Sequence, residues 1–350
     1  MHVIRAINVN DALPKGLRLL IEQGKLQDSR AGEVLCLPEP VTTIYAHPDQ
    51  KVLFSPLRDA NPFFHLIEAL WMLTGQSSTS LLNCYVSDFG KRYAEDDGVL
   101  HGAYGYRWRE SFAIDQLSVI IKKLKENNFD RQVVLQMWDA GPEFAGGQDD
   151  LMGVWRDRPC NTHVYFRADR GSLDMTVCCR SNDIIWGAYG ANAVHFGFLL
   201  EYMAAAIDIP VGRYYQISNN FHAYVSELDR LSRGPGSYVD LVQQFFRDGQ
   251  EEKYAPFGVS CFSFMKDQEI IDNRLRSILL HVELINSADK VFDGPHPDEA
   301  YYIDSIFINA AKAHRLFKLG DHVKALAFAQ RIPAPDWALA CTDWIKRRIK

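Results

Sequence analysis

The chain has 350 residues, 47% hydrophobic and 23% charged, with a formal net charge of −6. That is the make-up of a soluble globular protein, with room for one large domain or one domain plus an appendage. Its apolar runs fall well short of the ~18 residues a membrane span needs, and no block of five like charges offers the Lys/Arg contacts of non-specific DNA binding. Met1 to Asn8 lack the basic flank, apolar core and small-residue cleavage site of a secretion signal, so a cytoplasmic setting without membrane or nucleic-acid partners is expected. Seven cysteines, at positions 36, 84, 160, 178, 179, 261 and 341, form an odd set without CxxC pairs, and neither a disulfide framework nor a metal site is expected. Each is a small buried hydrophobe unless its context argues otherwise.

In chain order, residues 10–24 read as a helix: Leu17, Leu20 and Ile21 share a face and Gly24 can cap it. A polar loop opens at Asp28, followed by candidate strands at Glu33–Leu37, Thr42–Tyr45 and Lys51–Phe54, separated by Pro38, Pro40 and Pro48. Asn61 to Gly75 is a well-signalled helix, with an Asn cap, Pro at the first helical position and Gly at the end. On it Glu68 lies beside Ile67 and one turn from Phe64 and Trp71, a carboxylate bordering an apolar stripe. A helix at 114–126 and a strand at 132–138 precede a Gly- and Asp-rich loop over 140–153. Strands at 162–168 and 172–178 flank Asp169-Arg170-Gly171, a hairpin signal. A helix at 192–207, a strand at 213–218 and a helix at 221–232 come next, and beyond about 267 the pattern is almost purely helical, with helices near 268–286, 298–317, 320–330 and 335–348.

Among the cysteines, Cys160 stands apart. In Arg158-Pro159-Cys160-Asn161 it sits at the entry to a strand after a flexible loop, two residues from a guanidinium that favours the thiolate a nucleophile needs. Arg180 and Ser181 lie at a strand end, a pairing of guanidinium and hydroxyl suited to phosphate. The ordinary alternatives are a buried structural cysteine and a solvated loop. His222 and Tyr224, two apart, can converge on one ligand.

Taken together, Pro159-Cys160, Arg180-Ser181-x-Asp183 with Gly187, Asn192 and His222-x-Tyr224 resemble the core of the thymidylate synthase family, including its hydroxymethylase branch. Glu68-x-x-Trp71, Tyr104-Gly105-x-x-Trp108-Arg109 and Trp138 extend the likeness over roughly residues 15–230. The resemblance implies an α+β fold with a mixed sheet covered by helices: a catalytic domain over 1–265 and a helical C-terminal extension over 266–350. It also implies transfer of a one-carbon unit from 5,10-methylenetetrahydrofolate to C5 of a pyrimidine nucleoside monophosphate. Cys160 would attack C6, Glu68 would assist proton transfers through water, as suits a carboxylate at an apolar border, and Tyr104 would help remove the C5 proton. Arg30, Arg180 and Ser181 would hold the phosphate, Asn192 the pyrimidine edge, and His222 and Tyr224 the sugar hydroxyl. Asp183 would hydrogen-bond the pterin, with Gly187 and Phe89 on the folate side. Family members are homodimers whose partner arginines complete the phosphate site. Arg131 matches the first of the usual pair but Gln132 replaces the second, leaving Arg156 or Arg158 to compensate.

Three departures shape the expected outcome, and a fourth, at the residue after the nucleophile, is expected to be tolerated within a water network. The family's histidine after the nucleophile is Asn161 here; its apolar tail is replaced by Trp344-Ile-Lys-Arg-Arg-Ile-Lys350; an indole that shields the intermediate is replaced by Phe89; and the interval from Gly187 to Asn192 is one residue longer than usual. Water reaching the intermediate would give a 5-hydroxymethyl product, favoured over methylation with hydride transfer from folate. An asparagine amide matches O4 and N3–H of uracil, which favours dUMP; an insertion that moves Asn192 away would leave Ala191 or a water there and admit cytidylate. His195, a turn further on, can either reach the site or pack as an ordinary core histidine. A binding or regulatory protein that keeps the fold without turnover is the third reading, against which the joint presence of Cys160, Glu68, Asp183 and Tyr104 argues.

Overall fold

The structure is a computed structural model that describes residues 1–143, 146–169, 171–234, 238–247, 254, 264, 266–291 and 301–349. Cys261 and the expected division after Met265 lie outside the described residues. Strands β1 (His2–Ala6), β4 (Val41–Tyr45), β5 (Val134–Gln136), β6 (Asn161–Asp169), β7 (Ser172–Cys179) and β9 (Val211–Ser218) make a mixed sheet in the order β1-β4-β9-β7-β6-β5. β1/β4 and β7/β9 are parallel and the other pairs antiparallel. A second sheet orders β2 (Lys25–Ser29), β3 (Gly32–Cys36), β10 (Phe221–Tyr224) and β8 (Asn182–Asp183) as β2-β3-β10-β8.

Helix α1 (Val9–Gln23) is capped by Asn8, whose side chain accepts from the N–H groups of Asn10 and Asp11, and ends at Gly24 as its apolar stripe predicts. Helix α2 (Pro62–Leu73) shows the expected Asn61 cap and is buried along its whole length. Helices α3 (Leu82–Tyr85), α4 (Phe89–Tyr93) and α5 (Tyr104–Arg109) follow; Gly105 is required where α5 crosses α2, since a Cβ there would lie 2.0 Å from the Met72 carbonyl oxygen. Helix α6 (Gln116–Glu126) starts at its Asp115 cap. Helix α7 (Asn192–Ile207), buried on nearly every face, runs between the six-stranded sheet and α2 and forms the centre of the molecule. Helices α8 (Val225–Ser232) and α9 (Val239–Arg247) close this part.

Helices α10 (Gln268–Ser287), α11 (Tyr302–Lys318), α12 (His322–Gln330) and α13 (Pro335–Lys346) pack onto the same core. Trp344 meets the Phe63 ring edge-on at 5.4 Å, and Asp272 on α10 takes Arg109 at 2.8 Å and the Tyr202 hydroxyl at 2.9 Å, tying α5, α7 and α10 together. The cationic segment after α13 is engaged as well: Arg347 and Arg348 both pair with Asp59, at 3.0 and 2.6 Å.

Three expectations need correction. Lys51–Phe54 is buried but joins no ladder: side chains take its backbone groups, Asn10 donating to the Val52 carbonyl at 2.9 Å and accepting the Phe54 N–H at 3.0 Å, while the Val52 N–H donates to the Tyr254 hydroxyl at 2.8 Å. Phe221–Tyr224 is strand β10, not the start of a helix; it inserts between β3 and β8, and α8 begins only at Val225. The polar loop expected to open at Asp28 is shorter, because Asp28 and Ser29 end strand β2, which pairs with β3 through a tight turn at Arg30 and Ala31.

Candidate active site

The segment leading to Cys160 is fastened from beneath. Arg107 on α5 pairs with Asp150 through two hydrogen bonds, of 2.7 and 3.0 Å, and His101 reaches the same carboxylate at 2.9 Å; Arg107 and Asp150 are buried. Asp150 also takes the N–H of Asp139, so one buried carboxylate joins the start and the middle of the loop between β5 and β6 to α5. A register shift between Asn161 and His163 then bends β6 at its first residues, a device that re-aims side chains near sites.

Cys160 precedes β6, half-buried, and its N–H donates to the Tyr104 hydroxyl at 3.2 Å. The Arg180 guanidinium is 3.8 Å from the Cys160 sulfur and is itself held by the carbonyls of Pro159 and Arg158. Burial pushes the Cys160 thiol pKa up; Arg180 and Arg30 pull it down and Asp157 opposes them. Arg30, exposed at the tip of the β2–β3 hairpin, thus acts on the nucleophile from the second sheet. Burial raises the Tyr104 hydroxyl well above its ordinary range, and neighbouring Cys160 and Asp157 add to this, so it is a neutral donor or acceptor at physiological pH.

Behind Cys160 lies a buried amide cluster. Asn161 donates to the Asn192 carbonyl oxygen at 3.4 Å, the Asn192 amide nitrogen donates to Asn182 at 3.1 Å, and Asn182 donates to Ser218 at 2.9 Å. The extra residue between Gly187 and Asn192 is absorbed locally: Ile184–Ala191 forms a π-helical segment, kinked at Gly190 (φ −125°, ψ −106°), before α7 begins at Asn192. A π turn is how a helix accommodates one inserted residue while the next turns keep their place, and Asn192 remains against Asn161 and Asn182. Gly187 is needed here, because a Cβ would stand 2.9 Å from the Asn182 oxygen.

Asp183 accepts the N–H groups of Ile185 and Trp186 at 3.1 and 3.0 Å. Burial raises its pKa to about 6 against those hydrogen bonds and the pull of Arg58. Arg58, buried, donates to the Ile185 carbonyl at 2.8 Å and lies 4.0 Å over the half-exposed Trp186 ring. The Asp183 oxygens retain lone pairs beyond these two bonds, so a hydrogen-bonding acid beside a flat aromatic face fits a flat nitrogen heterocycle such as a pterin. From β10, His222 is buried, its pKa lowered by desolvation, and packs edge-on to Tyr224 at 5.5 Å. Burial raises the Tyr224 pKa, and Asp183 and Cys160 raise it further. His222 pairs with Asp183 in the second sheet, which brings the residues expected to hold the sugar and the pterin into one register.

Glu68, on α2, is buried, and its Oε2 is 2.9 Å from Nε2 of buried His195 on α7. Phe89 packs over Phe64 at 5.3 Å, one turn along α2 from Glu68, and against Tyr93 at 5.0 Å. Ser181 lies between Arg180 and Asn182, half-buried. Arg131 does not join this group: it lies in the exposed turn between α6 and β5, where it lines a surface hollow of about 370 Å³ with Asn127, Phe129, Asp130 and Gln132. Arg156 is engaged by Asp96 at 2.6 Å, and Arg158 turns its guanidinium to the Gly153 carbonyl. Asp157, Asn182, Ser218 and the Glu68–His195 contact were not singled out as site features from sequence. Asn182 fell on the unassigned position between Ser181 and Asp183. Among the described residues no cluster of His, Cys, Asp and Glu is arranged to hold a metal ion.

A thiol beside a guanidinium, a buried amide cluster and an aspartate of raised pKa beside an aromatic face thus come together on an α+β scaffold. Residues 57–235 match the family described as Thymidylate synthase, and the chain belongs to that family. It is 41% identical, over 99% of this chain and 95% of the relative, to a protein named deoxyuridylate hydroxymethyltransferase from Pseudomonas phage M6. It is 34% identical, over 60% of this chain and 56% of the relative, to a protein of the same name from Bacillus phage SP01.

Proposed function

We propose that the protein is a deoxyuridylate hydroxymethyltransferase, converting dUMP to its 5-hydroxymethyl derivative through a covalent Cys160 adduct. The names of its relatives support the substrate and outcome, and the placement of Cys160 between Tyr104 and Arg180 carries the chemistry. Burial raises the Cys160 thiol pKa and the Arg180 and Arg30 charges offset this in part; as thiolate, Cys160 adds to C6 and makes C5 a carbon nucleophile. Arg30, Arg180 and Ser181 hold the phosphate, a task for local cations and a hydroxyl. Asn192, its amide orientation fixed by Asn161 and Asn182, offers one donor and one acceptor to O4 and N3–H of uracil. His222 and Tyr224 hold the sugar hydroxyl, and Tyr104, next to the nucleophile, takes part in loss of the C5 proton. Glu68 moves protons at the base.

5,10-Methylenetetrahydrofolate supplies, when bound, the one-carbon unit at the oxidation level of formaldehyde. Asp183, with Trp186 beside it, holds its pterin, and Gly187 and Phe89 border it. The enzyme acts as a homodimer in which Arg131 reaches the phosphate of the neighbouring site, in keeping with its position away from Cys160 in its own chain. The catalytic unit covers 1–265, with 266–350 as a helical extension that buttresses α2. The test is tritium release from [5-³H]dUMP with 5,10-methylenetetrahydrofolate: the wild type releases it and Cys160→Ala does not. Release that persists in the variant overturns the nucleophile, and turnover of dCMP in place of dUMP overturns the base.

A further inference from the structure

Two buried polar groups meet where α2 crosses α7, and the steps assigned to Cys160 and its neighbours use only one of them. Nε2 of His195 is 2.9 Å from Oε2 of Glu68, yet the approach is misaligned and neither atom has a hydrogen bond; His195 Nδ1 is equally without one. Burying polar atoms without hydrogen-bond partners is unfavourable, so a pair kept this way at the molecular centre is better explained by a working role than by packing. Its address is specific. His195 is one helical turn after Asn192 and therefore on the same face of α7. Asn192 is bonded to Asn161, the residue after Cys160. On the other side, Phe64 and Phe89 form an apolar wall one turn from Glu68. The pair thus sits one turn from the Asn192 amide along α7 and one turn from Phe64 along α2, between a polar cluster and an apolar contact.

Hydroxymethylation asks for something there that methylation does not: a water must be held, aimed and deprotonated. We propose that His195 is a catalytic residue of the hydration step, holding with Glu68 the water that adds to the one-carbon unit on C5 and accepting its proton. The inference rests on the proposed hydroxymethylation. Before this step the nucleotide carries Cys160 on C6 and an exocyclic methylene on C5. The water oxygen bonds to the methylene carbon, the C5–methylene π pair moves into the C4 carbonyl as an enolate, and the water proton passes to Nε2 of His195. The enolate then re-forms the C5–C6 double bond and expels Cys160 as thiolate, after which the imidazolium releases its proton to solvent. Glu68, 2.9 Å from the same nitrogen, stabilises the charged form of the imidazole through its carboxylate charge.

Because the step comes after loss of the C5 proton, it can be separated from everything before it. The experiment compares wild type, His195→Gln and His195→Ser in single turnover with [5-³H]dUMP and 5,10-methylenetetrahydrofolate, following tritium release, 5-hydroxymethyl-dUMP and, with added β-mercaptoethanol, the thioether formed when thiol replaces water at the methylene. Thermal unfolding and dUMP binding identify variants that fold, and the serine variant, smaller than the site, covers failure of the glutamine one. Expected are near-normal tritium release, hydroxymethyl product slowed about 100-fold, as loss of a general base gives, and thioether in its place. Tritium release and product falling by the same factor, or product formed at the wild-type rate, would overturn the assignment. Wild-type enzyme yielding dTMP and dihydrofolate would instead overturn the hydroxymethylase reading, an outcome distinct from either.

Discussion

Replacing Asp183 by asparagine should stabilise the protein at neutral pH. The Asp183 pKa rises from 3.8 in the unfolded chain to about 6 in the fold, chiefly through burial, with its hydrogen bonds from Ile185 and Trp186 and the Arg58 charge pulling the other way. The folded state therefore binds a proton that the unfolded state has already released. The stability this lends is complete below pH 3.8 and is lost as pH rises through about 6. Each pH unit of displacement corresponds to ~1.4 kcal/mol, so the ionised side chain costs about 2–3 kcal/mol at pH 7.5. The two N–H groups are taken by separate Asp183 oxygens, so asparagine, like the protonated acid, keeps a full acceptor for one of them and carries no charge. In a chain of this size the gain amounts to a rise in Tm of several degrees. Thermal unfolding of both proteins between pH 4 and 8 measures it: the variant's advantage should be largest at pH 7.5, shrink through pH 6 and vanish near pH 4. A difference independent of pH, or a variant less stable at pH 7.5, would refute the burial argument. Folate binding by the variant should weaken in the same preparation, since the residue proposed to hold the pterin loses its carboxylate.

Other perturbations test the same geometry. Asn192→Asp sets a carboxylate against the Asn182 oxygen and should move the ratio of kcat/KM for dUMP over dCMP toward dCMP by at least about tenfold; an unchanged ratio would show that Asn192 does not read the base. Arg180→Ala removes the cation nearest the Cys160 sulfur, so Cys160 alkylation by iodoacetamide at pH 8 should slow and the Kd for dUMP should rise about tenfold or more. Asp150→Ala strands the buried Arg107 and should lower stability to denaturant by about 3–5 kcal/mol, a loss smaller than 1 kcal/mol being incompatible with the role given to that pair.

What the sequence revealed depended on how local each signal was. Helix α2 was legible because Asn61, Pro62 and Gly75 announce its ends within a few residues, and all three act as expected in the structure. The hairpin of β6 and β7 was legible from alternation and Gly171. Strands β8 and β10 were not: two and four residues long, they hold no alternation, and β10 runs straight into α8, so its residues read as the helix start. Lys51–Phe54 had strand composition but its backbone finds no ladder partner. At the site, Cys160, Arg180, Asp183 and Asn192 were visible through motif spacing. The surplus residue before Asn192 was visible too, whereas its accommodation in a π turn depends on hydrogen bonds that spacing does not encode. The meeting of Glu68 with His195 depends on the crossing of α2 and α7, elements far apart in the chain, and no short-range pattern announces it.

The identity of the product tests the proposed reaction most directly. Purified protein incubated with dUMP and 5,10-methylenetetrahydrofolate should yield a nucleotide heavier than dUMP by one CH₂O unit, with tetrahydrofolate and no rise in dihydrofolate absorbance, and none of it when Cys160 is replaced by alanine. A product heavier by CH₂ alone, formed together with dihydrofolate, would contradict it.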